Sequence, residues 1–126
     1  MVQLIDLFDE GDCQTYNSSV ARKFGSVSAA IMLSELVNRY KYHRSLGELR
    51  ELPGKEGLWF YYTLEKCEER TVFKRKAQDN AIKIIEKHGL FSKFSYGMPQ
   101  KRHFRINISK TEAFIKTFGD GEVASV

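Results

Sequence analysis

The sequence predicts an α+β fold, mainly helical with a small antiparallel sheet, and three observations carry that reading. Apolar residues recur at three- and four-residue steps across 27–42 and again across 74–88, the period of helices with one packed face. Phe104, Ile106 and Ile108 alternate with His103, Arg105 and Asn107, the period of a half-buried strand. The turn string Gly97-Met98-Pro99-Gln100 separates that strand from a second extended run, LFSKFSY, so the two read as a hairpin. A chain of 126 residues with 42% apolar and 13% aromatic content suits one domain with a filled core. The expected division is a lead-in over 1–15, a folded domain over 16–119 and a flexible tail over 120–126.

Each element has its own local reason. The lead-in MVQLIDLFDEGDCQTY reads as extended or irregular, with Leu4, Ile5, Leu7 and Phe8 available for packing. Asn17 or Ser18 caps a short helix SSVARKF, because either side chain accepts from the orphan amides of a first turn, and Gly25 stops it. Ser26 or Ser28 opens the longest early helix, to about Tyr42, with Ala30, Ile31, Leu36, Val37 and Tyr40 on its apolar steps. Gly47, Pro53, Gly54 and Gly57 make 44–57 a partly irregular connection. LWFYY then reads as a strand, whose residues Trp59, Phe60, Tyr61 and Tyr62 are expected in the core rather than on a base-stacking surface.

Thr63 caps the short helix LEKCEER, where Glu65 suits the positive end of the helix dipole and Cys67 reads as a small core residue. After the break at TVF, a helix runs from about residue 74 to His88 and stops at Gly89. Ala77, Ala81, Ile82, Ile84 and Ile85 gather on one side of it, and Lys76, Asp79, Asn80, Lys83 and Lys87 on the other. Following the hairpin, Ser109 opens a final helix expected to end at Gly119.

Charge is unevenly spread. Residues 1–65 carry net −2, residues 66–105 net +7 and residues 106–126 net −1, so one third of the chain holds all the excess positive charge. Such a layout is expected of a nucleic-acid-binding face, although acidic proteins and anionic membrane surfaces are polyanions too. No apolar run approaches the ~18 residues of a membrane span, and Asp6, Asp9 and Glu10 interrupt the amino terminus where a signal peptide would be apolar; a cytoplasmic protein is expected. Cys13 and Cys67 are too few for a disulfide framework. His43, His88 and His103 are scattered, and there is no CxxC, HxxxH, Gly-rich phosphate loop or nucleophile elbow. The expectation is a binding protein and not an enzyme, with no cofactor, no metal and no small-molecule ligand.

Three strings add a resemblance. WFYYT before the short helix, RKAQDNAIKIIEKHGLF, and the hairpin ending KRHFRIN resemble the winged helix-turn-helix DNA-binding domains of bacterial, phage and plasmid replication-associated and regulatory proteins. The matching residues are Trp59, Phe60, Tyr61 and Thr63, then Ala81, Ile82, Ile85, Gly89 and Leu90, then Phe104, Ile106 and Asn107, and the likeness covers 16–108. It implies a recognition helix at about 74–88 and a wing at about 91–108. The chain departs from the family at Val72, Phe73 and Lys74, where Gly, a large aliphatic and Ser are usual, which leaves Thr71 as an alternative cap. It departs again at Ile84, usually polar, where an extra packing or dimer contact is implied.

On this reading the partner is double-stranded DNA, bound as a transcriptional regulator or a replication-associated factor. Lys74, Arg75, Lys76 and Lys83 would neutralise phosphates, since release of condensed counterions supplies most sequence-independent affinity. Arg75 could also read guanine, and Gln78 and Asn80 adenine, in bidentate fashion. Lys93, Lys101, Arg102 and His103 flank the hairpin turn and would meet a minor groove or a backbone. The bland alternative is that these charges solvate a helix face and blunt a strand edge. A second function class is a winged-helix interaction module in a larger assembly, using the helix at 27–42 and its end, Tyr40 and Tyr42. A homodimer through Ile31, Met32, Leu36, Val37, Tyr40, Phe114, Ile115 or Phe118 is a further expectation, set against core packing of the same residues.

Overall fold

The computed structural model describes residues 16–124, and the side chains of residues 16–116. Among them are five helices and three strands: α1 Ser18–Phe24, α2 Val27–Ser45, β1 Phe60–Tyr61, α3 Leu64–Thr71, α4 Arg75–Lys87, β2 Phe91–Tyr96, β3 Lys101–Ile106 and α5 Ile108–Ala124. The architecture is α+β, and the sheet has the order β1-β3-β2 with both pairs antiparallel. The lead-in residues Leu4, Ile5, Leu7, Phe8 and Cys13 lie outside the described residues, as does the side chain of Phe118.

Capping chemistry sets the helix starts. The Asn17 side chain accepts from the Ser19 and Val20 amides, that of Ser26 from Ala29, and that of Thr63 from Lys66. Gly25 and Gly89 both take the left-handed conformation expected just past a helix end, with φ of 69° and 72°. The last helix differs from expectation at both ends. Asn107, not Ser109, is its cap, with Oδ1 accepting from the Lys110 amide at 3.1 Å. It then continues past Gly119 to Ala124, so residues 120–124 are helical rather than a frayed tail. Leu90 supplies the tether: its carbonyl accepts from the Asn107 amide at 2.8 Å and from the Thr111 hydroxyl at 3.2 Å, which fixes α5 to the base of the hairpin.

The core lies where α2, α4 and one face of the sheet meet. Met32, Leu36, Cys67, Ile85 and Phe104 are completely buried, joined by Phe60, Ile82 and Leu90. Met32 is therefore core, with its sulfur 3.9 Å from the Cys67 thiol, and does not belong to an exposed self-association surface. Trp59, Phe60 and Tyr62 are buried as the aromatic strand predicts. Tyr61 is not: strand alternation turns it to the outer sheet face, where it is 47% exposed.

One residue carries backbone strain. Val72, in the turn between α3 and α4, has φ 68°, and its amide donates to the Glu68 carbonyl at 2.8 Å. A β-branched residue in the left-handed region costs about 1–2 kcal/mol. Its side chain is 79% exposed and gains little packing in return. Val72→Gly should therefore stabilise the protein by about 1 kcal/mol, after allowing for the added freedom of glycine in the unfolded chain. The check is a raised urea midpoint with an unchanged m value.

Candidate nucleic-acid interface

α4 is amphipathic because Ala81, Ile82 and Ile85 fall on one stripe and pack inward. The opposite face presents Lys76, Asn80 and Lys83, all exposed, and Arg75 is exposed as the first residue of the helix. Lys74 occupies the cap position of α4 and makes no side-chain cap bond, so the first-turn amides carry no side-chain acceptor from it. Thr71 does not replace it. Its hydroxyl donates to the Cys67 carbonyl at 2.7 Å and accepts from the Phe73 amide at 3.2 Å, closing the end of α3 instead. The Lys74 ammonium is 3.0 Å from Glu68, but both side chains are exposed and such a pair is worth under about 1 kcal/mol, so Lys74 is readily exchanged onto a stronger anion.

Gln78 corrects the expectation of an adenine-reading side chain. It is fully buried, and its amide group is committed to the fold. Nε2 donates to the Leu64 carbonyl at 3.1 Å and the Phe73 carbonyl at 2.8 Å, and Oε1 accepts from Arg102 Nη2 at 2.9 Å. The physical reason is its phase on the helix, four residues before Ile82 and seven before Ile85. Arg102 is corrected with it. Besides Gln78, it donates from Nε to the Tyr62 carbonyl at 3.1 Å and lies over the Phe104 ring, 5.2 Å from its centroid. Burial draws its pKa down from the ordinary guanidinium range. Arg102 thus braces the hairpin against α3 and α4 and is not a freely presented phosphate ligand.

The hairpin register explains which of its residues remain outside. Lys93 pairs with Phe104 and so belongs to the core-side face, but it lies on the edge strand β2 and is exposed, whereas Phe104 on the central strand β3 is buried. Tyr61, Phe94 and His103 stand beside one another on the outer face, since Tyr61 and Phe94 both pair with His103. Tyr96 and Lys101 are the last pair before the turn. The Lys101 ammonium sits 4.9 Å from the centre of the Tyr61 ring, a cation–π contact that holds it on this face. His103 is part-buried, with Nδ1 2.9 Å from the Lys101 carbonyl and its ring edge-on to Tyr96. Arg105, two residues further, donates to the Glu56 carbonyl at 3.2 Å and clasps the 50–57 connection.

The set expected from sequence therefore divides. Lys76, Asn80 and Lys83 share the outward face of α4 with Arg75 exposed at its first turn, while Lys93, Lys101 and His103 belong to the hairpin, and Gln78 and Arg102 lie between the two as structural links. Sequence reasoning missed that link, although the i, i+4, i+7 spacing of Gln78 and the alternation that puts Arg102 in phase with Phe104 both signal it. Among the described residues there is no group of three or more His, Cys, Asp and Glu side chains placed to hold a metal ion. Nor is any helix there long and apolar enough to cross a membrane.

Replacing Gln78 with Leu keeps the volume and removes three hydrogen bonds, leaving two backbone carbonyls and the Arg102 guanidinium short of partners. The variant should lose about 2–3 kcal/mol in a urea titration, a cost that a surface DNA contact would not produce. Compared with known proteins, the chain matches no protein-family model, no curated protein and no solved structure.

Proposed function

We propose that the protein is a winged helix-turn-helix module that binds double-stranded DNA, with α4 as recognition helix and the β2–β3 hairpin as wing. The observation that carries this reading is the exposed basic face of α4, free of core duties, beside a hairpin bearing Lys93 and Lys101. The order of elements supports it: α3, a three-residue turn and α4, followed directly by an antiparallel hairpin. A bidentate Arg75 and an Asn80 amide suit base edges, whereas Lys76, Lys83, Lys93 and Lys101 suit phosphates. Binding is reversible and involves no chemical step, in the role of a regulator or a replication-associated factor.

Duplex binding should weaken steeply with salt. About four to eight phosphate contacts give a log-log slope of about −4 to −7, measured by fluorescence anisotropy at several chloride concentrations. No binding to any duplex at low salt would sink the reading. Helix and hairpin should also separate by specificity. Arg75→Ala is expected to cost about 1–3 kcal/mol on a preferred site and to relax discrimination, while Lys101→Ala weakens matched and mismatched sites alike. Indistinguishable behaviour of the two variants would reduce α4 to an electrostatic anchor.

A further inference from the structure

Away from the exposed face of α4, the C-terminal half of α2, the end of β1 and the first turn of α3 line a half-open pocket of about 330 Å³. Three cations line it, Arg39 from α2, Lys66 from α3 and Lys101 from β3, together with His43 and the Thr63 and Tyr61 side chains, and no carboxylate does. Two lining residues have buried nitrogens without a hydrogen-bond partner among the described residues, Arg39 Nε and His43 Nε2. An unpaired buried polar atom costs about as much as a lost hydrogen bond, so groups of this kind mark a position where water or a ligand group is bound. His43 is only 6% exposed, and its orientation is fixed: Nδ1 lies 3.1 Å from Glu48 Oε1, and the ring stacks on Phe60 at 5.5 Å. Arg39 is held equally firmly, with its guanidinium over the Tyr42 ring at 4.8 Å and the Tyr62 ring at 5.0 Å.

We infer that this pocket binds a phosphate group, held by Arg39, Lys66 and Lys101 with His43 Nε2 as a further hydrogen-bonding partner. Positive charge concentrated in a recess and unopposed by a lining carboxylate favours a compact multiply charged anion. Of the carboxylates that touch lining residues, Glu48 is engaged by His43 Nδ1 at 3.1 Å, and Glu69, 3.6 Å from Lys66, forms an exposed pair that is easily exchanged. Glu35, beneath the Tyr62 side of the pocket, is already bonded to the Tyr62 hydroxyl at 2.7 Å and to Arg70 at 2.6 Å. The volume exceeds that of a bare anion and leaves space for part of the group that carries the phosphate. This inference does not depend on the DNA-binding reading.

His43 makes the pocket pH-sensitive. Desolvation by burial lowers its pKa from the ordinary 6.5, the Glu48 hydrogen bond opposes this, and the Arg39 charge adds to the lowering. Besides Arg39 and Glu48, the pocket's Tyr61, Tyr62, Lys66 and Lys101 and the adjoining Tyr42 bear on the ring. With Nδ1–H donated to Glu48, neutral His43 offers a lone pair at Nε2, and protonation converts that atom to a donor. In the free protein the unfolded chain takes up this proton first, so His43 contributes stability above its unfolded pKa that is lost as pH falls through the folded value. A bound anion reverses the preference by raising the folded pKa, so anion binding and proton uptake assist each other.

Inorganic phosphate titrated into the full chain, with sodium chloride at matched ionic strength as control, tests the inference by NMR of the His43 ring. A saturable shift in phosphate and none in chloride is expected, with affinity reduced about tenfold in Lys66→Gln, a substitution at a half-exposed site. Absence of saturation in the unaltered protein, or undiminished affinity in Lys66→Gln, overturns it. Sulfate, whose charge is fixed over this range, should bind more tightly at pH 6 than at pH 8, and equal affinity removes His43 from the site. Two sources share this chemistry, and competition separates them: a duplex that displaces phosphate assigns the pocket to a backbone phosphodiester, whereas a duplex that binds without displacing it assigns the pocket to a free phosphate monoester. Failure of duplex binding leaves the phosphate result standing.

Discussion

Gln78 and Arg102 meet at 2.9 Å in the seam between α4 and the hairpin, and the placement of both basic elements depends on that contact. The Gln78 amide simultaneously satisfies the first carbonyl of α3 and the carbonyl of Phe73 in the turn, while Arg102 satisfies the carbonyl of Tyr62 just after β1. Three stretches of the chain, residues 62–64, residues 73–78 and Arg102 on β3, are thus joined by two side chains. Because a buried polar group left unpaired costs about 1–3 kcal/mol, only one relative arrangement of α3, α4 and the sheet closes every one of these bonds. Apolar packing alone would tolerate small rotations of α4 against the sheet. The polar seam removes that freedom, so residues as far apart as Arg75 and Lys101 are held at one fixed separation.

A second buried polar group organises the other side of the molecule. Glu35, 1% exposed in α2, accepts from the Tyr62 hydroxyl and from Arg70 near the end of α3. The pairing raises the Arg70 pKa, and burial together with the Glu35 contact pushes that of the Tyr62 hydroxyl far up. A carboxylate buried in this way is tolerated because both partners are in place; losing Arg70, whose side chain is 40% exposed, would leave the buried carboxylate without its counter-charge, a loss below the ~3–5 kcal/mol of a fully buried pair. α3 is consequently gripped at both ends, by Glu35 through Arg70 and by Gln78 through the Leu64 carbonyl. The outward charges of α4 take no part in either arrangement, which separates the residues that make the fold from those that present it.

Much of this was legible in the sequence because caps and periodicity are local. Asn17, Ser26, Thr63, Gly25 and Gly89 act where their chemistry places them, and the hairpin follows from the alternation around Phe104. The two misread interface residues share one cause, the treatment of polarity as exposure. Gln78 and Arg102 are polar residues whose phase on the helix and strand signals burial, but that each supplies the other's bond is set by tertiary packing and not by local spacing. Tyr61 is the converse, an aromatic residue turned outward by strand phase. Gly119 stops no helix because a glycine weakens a helix without forbidding it. The Arg39–His43 pocket had no signature at all, since its residues come from separate elements at irregular spacing.

The register of the hairpin separates two kinds of change in length. Pairing ends at Tyr96 and Lys101, so residues 97–100 lie beyond the ladder, and Met98 at the tip is 98% exposed. Residues can be added or removed there without altering which side chains face inward. One residue inserted within β3 would instead exchange its two faces, expelling Phe104 and driving His103 or Arg105 into the interior. The tip is thus a region where reach is adjustable independently of stability, and relatives of this chain could differ in what the hairpin touches while sharing the same interior.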